Sequence, residues 1–131
     1  NAETSLTLPE REVVQITAAR IHGCDFCIAG HTAIALKKAQ LPVETVRAMQ
    51  QGQDTGDAKL DAVRVFSEAV IATRGGVSDD ALAAFKAAGY NDQQALEVVL
   101  GVSLATLCNF ANTMAGSAIN PQLQPFASGA I

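Results

Sequence analysis

The sequence predicts an all-α fold, a helical bundle of about six helices, and three observations carry that prediction. Apolar residues recur at helical spacing in every long segment, and no stretch alternates convincingly with period two. The segments are punctuated as helices are: Thr7 with Glu10, Ser78, and Asn91 with Gln94 at starts, and Gly23, Gly75-Gly76 and Gly89 at ends. The composition is 49% hydrophobic but only 5% aromatic, with no Trp, so the core must be made of Ala, Val, Leu and Ile, which suits closely packed helices.

Each element follows from local chemistry. Thr7-Leu8-Pro9-Glu10 is a capping box, with Pro9 in the first turn, where its missing N–H does no harm. The helix it opens runs to about His22 and stops at Gly23. A second helix begins at or near Cys24, runs to about Ala39 and is ended by Leu41-Pro42. Pro42 opens a short helix to Gln51, followed by a polar loop over 52–56. The next helix, over 57–74, carries Leu60, Val63, Phe66, Val70 and Ile71 at core spacing. Ser78 caps a helix over 79–88, closed by Gly89, where Tyr90 can pack as a simple staple. Asn91 with Gln94 opens the last helix, over about 92–117. That helix is apolar nearly all round, which predicts a central position or a subunit interface. The tail over 120–131, with Pro121 and Pro125, reads as extended. No internal repeat, low-complexity tract or linker is visible, so residues 1–131 read as one domain.

Charge and cysteine usage narrow the function. A net charge of −4 and a pI near 5.0 argue against a nucleic-acid or anionic-membrane partner, and Lys37-Lys38 is the only adjacent basic pair. No segment reads as a membrane span, because Glu97, Asn109 and Asn112 interrupt the most apolar run, over 95–119. The chain starts at Asn1 with no visible secretory signal. Three cysteines are an odd number and too few for a disulfide scaffold, which points to a reducing, cytoplasmic setting with an active rather than structural C-x-x-C pair. No phosphate loop, dinucleotide fingerprint or nucleophile elbow is present, and no cofactor is expected.

The most informative residues are Cys24, Cys27 and His31, a C-x-x-C-x-x-x-H run. At helical pitch, positions i, i+3 and i+7 share one face, so two thiols and an imidazole meet in one patch. Thiol chemistry needs a sulfur that attacks, a second that resolves the product, and a base that moves protons. A helix start favours a thiolate, while Phe26, Ile28 and Ala29 supply apolar surroundings that oppose it. A base is therefore needed, and His31 stands one turn beyond Cys27.

Glu12 is the remaining candidate: its i+4 and i+7 neighbours are Ile16 and Ala19, and a carboxylate in an apolar stripe is unusual. Its plain reading is an exposed first-turn acid, a role Glu10 fills better. Turned inward, Glu12 can orient His31 and accept its proton. Zinc held by Cys24, Cys27, His31 and Glu12 is the rival, although structural zinc normally draws ligands from two separated pieces of chain. Elsewhere, His22 reads as a solvent-facing helix end and Cys108 as inert core. Asn109 and Asn112, if buried, need hydrogen-bond partners, which helix pairing at an interface supplies as well as a ligand does.

Glu12, then Cys24 twelve residues on, then Cys27 and His31, in an all-helical chain, resembles the AhpD-like branch of the carboxymuconolactone decarboxylase superfamily. The likeness is specific over about 6–39 and looser to the end, where Cys108-Asn109-Phe110-Ala111-Asn112 and Ala118-Ile119-Asn120-Pro121 are similar to an Asn-rich closing helix of many members. The resemblance implies an all-α fold assembling into homo-oligomers (dimer, trimer or hexamer), with thiol-dependent peroxidase and disulfide-reductase activity. It implies that Cys27 is the peroxidatic cysteine, Cys24 the proton donor and resolving thiol, and Glu12 with His31 the proton relay. The expected partners are a hydroperoxide and an external dithiol reductant. Where hydroperoxidase members can carry a second His between the cysteines, this chain has Phe26. Two other readings use the same residues: a decarboxylase or isomerase with Glu12 and His31 as acid and base, and a metal-binding or structural oligomer.

Overall fold

The structure, a computed structural model, describes residues 3–131. Six helices follow in order, α1 (Leu8–His22), α2 (Asp25–Lys37), α3 (Val43–Gln51), α4 (Ala58–Thr73), α5 (Asp79–Ala87) and α6 (Asp92–Ala115), and the described residues contain no strand. The caps are those the sequence announces. Glu10 N–H donates to Thr7 Oγ1 while Thr7 N–H donates to Glu10 Oε1, and Asn91 and Gln94 repeat the exchange.

The α1–α2 corner sets up everything that follows. Gly23 is left-handed (φ 73°), and the turn closes with Gly23 N–H on Arg20 O and Cys24 N–H on Ala19 O. Cys24 is then extended (φ −89°, ψ 92°) and serves as the N-cap of α2. It thus lies just outside the helix rather than in its first turn, and one residue both ends α1's closing motif and opens the next helix.

The central helix is α1, not α6. Val13, Val14, Ile16, Ala18 and Ala19 are all essentially inaccessible, and α1 packs on α6, α2, α4 and α3. Helix α6 buries only the stripe Val98, Gly101, Ala105 and Asn109. A Cβ at Gly101 would stand 3.0 Å from Val14 Cγ1, so glycine permits the close approach to α1, and Gln15 Nε2 donates to its carbonyl at 3.1 Å. The rest of α6 is uncovered: Leu96, Leu107 and Met114 are 71%, 66% and 87% exposed. Apolar composition all round therefore did not mean burial all round. At 24 residues α6 is also long and apolar enough, by length and composition, to cross a membrane, contrary to the expectation that no segment reaches that size; its polar residues do not interrupt the helix.

Two further expectations change. The tail is not extended: it forms turns and a 3₁₀ segment (Gln124–Phe126) packed on α2. Buried Gln50 holds it there, its Nε2 donating to Thr32 Oγ1 (2.9 Å) and Phe126 O (3.2 Å). Tyr90 is more than a staple. Its ring extends a stack with Phe85 and Phe66, and its hydroxyl donates to Glu10 Oε2 and to Lys59 O. Glu10 is accordingly buried rather than exposed.

Candidate active site

Cys24, Cys27, Ile28 and Ala19, with Phe26 against them, form a small apolar cluster apart from the main core. Within it the Cys24 and Cys27 sulfurs are joined as a disulfide with Cα atoms 5.2 Å apart. Two Cβ atoms at i, i+3 of a regular helix lie too far apart for such a bond, about 5–6 Å against the preferred ~3.8 Å. The extended N-cap backbone of Cys24 removes that obstacle. The same position puts the Cys27 N–H on Cys24 Sγ at 3.3 Å, so the third of α2's free first-turn amides points at sulfur.

Glu12 turns inward. Only 5% exposed, it lies 2.7 Å from His31 Nδ1 through Oε1, joining the second turn of α1 to α2. A carboxylate accepts only, so in this pair Nδ1 carries the proton and Nε2 of a neutral ring keeps its lone pair. No other described residue bonds to the His31 ring. The imidazole is thus fixed by one nitrogen and available at the other, on the residue one turn after Cys27.

Asn112 of α6, for which the sequence left helix pairing and ligand binding open, adds a contact with the cysteine pair. Its Nδ2 reaches Cys27 Sγ at 3.8 Å while also donating to Cys108 O at 2.9 Å. A cavity of about 250 Å³ opens beside the disulfide, lined by Cys24, Phe26, Asn112 and Ser117 among others. Asp25, the acid nearest in sequence, is exposed. An amide one turn from a cysteine in an otherwise apolar helix was the available signal for Asn112.

The remaining candidates fall elsewhere. Cys108 is exposed, not core, although it borders the buried stripe of α6. His22 does not face solvent freely: Nε2 is 3.1 Å from Thr106 Oγ1 and the ring meets Phe110 edge-on, centroids 4.9 Å apart. Asn109 is buried on the α6 stripe, and its Oδ1 has no partner among the described residues. No group of three or more His, Cys, Asp or Glu side chains among the described residues is arranged to hold a metal ion.

Comparison with known proteins agrees with this architecture. The profile of the carboxymuconolactone decarboxylase family matches residues 1–68, the half that carries Glu12, Cys24, Cys27 and His31. No curated protein matches the chain. Among solved structures it is similar to an uncharacterized peroxidase-related protein from Silicibacter sp. TM1040, with a TM-score of 0.80 at 15% identity. The match covers 97% of this chain and 65% of that one, so the chain spans just under two thirds of its neighbour's length. At that identity the likeness is one of fold.

Proposed function

The chain belongs to the carboxymuconolactone decarboxylase family, and we propose that within it the protein is an AhpD-like thiol peroxidase and disulfide oxidoreductase. The observation that carries the reading is a bonded Cys24–Cys27 pair at the start of α2, the helix whose His31 pairs with the buried Glu12 of α1.

In the reduced protein the Cys27 thiolate attacks one oxygen of a hydroperoxide. The S–O bond forms as O–O breaks, and the alkoxide leaves as alcohol with a proton from the Cys24 thiol, giving Cys27 sulfenic acid. The Cys24 thiolate then displaces the hydroxyl, forming S–S and breaking S–O, and the departing hydroxide takes a proton through His31, which Glu12 holds in register. An external dithiol reduces the bridge and is itself oxidised to a disulfide. The balance is one hydroperoxide and one dithiol in, one alcohol, one water and one disulfide out. A reducing, cytoplasmic setting suits this cycle, with no nucleic acid or membrane partner. Phe26, where family hydroperoxidases can carry a second His, takes a polar group away from the sulfurs, so disulfide exchange is the more robust half of the activity.

Adding one equivalent of hydrogen peroxide to the fully reduced protein tests this. The expected result is stoichiometric loss of two thiols and a Cys24–Cys27 bridge in the peptide map. Bridge formation no faster than in a peroxide-free control overturns the peroxidase reading. A second reading has a specific observation in its favour: the Glu12–His31 bond equally suits an acid–base enzyme of the decarboxylase type. Activity that survives thiol alkylation selects it.

The reading includes a homo-oligomer. Leu96, Leu100, Ser103, Leu107, Phe110 and Met114 follow one another on α6 at the alternating 4–3 spacing that lets helices pair, and the five apolar members are exposed. Sedimentation is expected to give a dimer or larger; a monomer at roughly 100 μM removes this part, since specific interfaces dissociate well below that.

A further inference from the structure

A second, larger cleft, of about 630 Å³, lies between the C-terminal ends of α1 and α4 and one flank of α6. Its walls are chemically divided. Val70, Val99 and Val102 give an apolar floor, and Phe110 packs edge-on to His22 beside it. The polar groups are His22, Ser103, Thr106 and Arg74. A cleft of this size, mostly apolar with a few polar groups, is what a small organic ligand requires.

Arg74 gives the ligand its sign. The other four arginines are engaged: Arg11 on Leu6 O, Arg20 on Glu68, Arg47 on Ile131 O, and Arg64 on Asp54 and Glu68. The Arg74 guanidinium has no hydrogen-bond or ion-pair partner among the described residues, and no acid among them lines the cleft. Its backbone is itself unusual. At the ends of α1, α3 and α6 the left-handed capping position is glycine, Gly23, Gly52 and Gly116. At the end of α4 that position is Arg74 (φ 54°, ψ 42°), although Gly75 follows immediately. A side chain there costs more than glycine does, and such outliers concentrate where a side chain is needed in place.

We propose that this cleft binds an amphipathic monocarboxylate, its carboxylate on the Arg74 guanidinium and its hydrocarbon body along the valine floor. Thr106 Oγ1, 3.1 Å from His22 Nε2, can turn its proton to the same head group, whereas the Ser103 hydroxyl donates to Val99 O. The site does not depend on the redox reading, because it uses none of Glu12, Cys24, Cys27 or His31. The cleft shares Ser103 and Phe110 with the α6 ridge of Leu96, Leu100, Leu107 and Met114, so a second copy on that ridge and a ligand in the cleft meet along one edge.

Isothermal titration with butanoate, hexanoate and octanoate, and with octanamide as the uncharged control, tests the proposal on the wild-type protein. Binding is expected to tighten along the acid series and to be at least tenfold weaker for the amide, since a charge-assisted hydrogen bond is lost. Arg74→Gln should weaken octanoate by about tenfold and Arg74→Lys by less. Arg74→Gly, which the left-handed backbone favours, repeats the loss in a variant certain to keep the turn. No binding of octanoate, equal binding of acid and amide, or binding indifferent to Arg74 overturns the proposal. The first of these is also the result if a second copy of the chain fills the cleft.

Discussion

Cys27→Ser is expected to slow peroxide consumption by roughly a thousandfold or more, because a serine hydroxyl is not ionised near neutral pH and no second group replaces the sulfur. Cys24→Ser should behave differently. It keeps a first turnover, stops at Cys27 sulfenic acid, and forms no intramolecular bridge, which a sulfenic-acid trapping reagent and peptide mapping read directly. The asymmetry is a real test, because the geometry contains forces in both directions. Cys24, at the N-cap, takes the Cys27 N–H on its sulfur, an arrangement that favours a thiolate on Cys24. Cys27 has His31 one turn on and Asn112 Nδ2 at 3.8 Å. A base that removes the proton, with an amide that meets the resulting charge, outweighs a single helix-end amide if the thiol must be activated in an apolar cluster. Should Cys24→Ser be the inactive variant and Cys27→Ser the one that traps a sulfenic acid, the two roles exchange and the N-cap amide is the stronger influence. Equal melting temperatures of the reduced variants separate either result from misfolding.

What the sequence disclosed and what it concealed divide along contact distance. The helices and caps were legible because a capping box spans three residues and a left-handed glycine acts at one. Glu12 was legible as a candidate because its i+4 and i+7 neighbours are apolar; the sequence left inward and exposed readings open, and the 2.7 Å bond to His31 shows it turned inward. The role of α6 was not legible. A helix apolar on every side gives no signal of which side meets α1; the close approach at Gly101 decides it, and Cys108 is left outside. Likewise Glu10 reads locally as a solvated capping acid, and only a residue 80 positions away shows that it is buried. The Cys24–Cys27 bridge lay between these cases: the spacing was plain, but a regular helix would have kept the sulfurs apart, and the extended backbone after Gly23 resolves it.

The stack at the far end of α1 should dominate stability. Phe85 is 1% exposed, with Phe66 on one face (centroids 4.3 Å apart) and Tyr90 on the other (4.5 Å). Phe85→Ala removes a large buried side chain and two ring contacts, at an expected cost of about 3–5 kcal/mol and a melting temperature lower by roughly 10–20 °C. A loss under about 1 kcal/mol would mean that α5 collapses into the space and that the stack is not a fixed spacer. The same stack carries a pH signature. Burial, then the hydrogen bond to Glu10, pushes the Tyr90 hydroxyl well above its ordinary value of 10.0. The unfolded chain therefore loses this proton near its ordinary value while the folded chain keeps it. More protons remain bound in the folded state, so its contribution is complete below about pH 10 and falls as pH rises further. Other groups titrate in that range, but Tyr90 is the chain's one tyrosine, so the comparison with Tyr90→Phe isolates it. Denaturant unfolding at a series of pH values is expected to give a steeper alkaline decline in the wild type than in the variant. Parallel curves would show that the hydroxyl ionises in the folded protein as freely as in the unfolded one, and that Glu10 and Tyr90 do not share the proton that joins α1 to the start of α6.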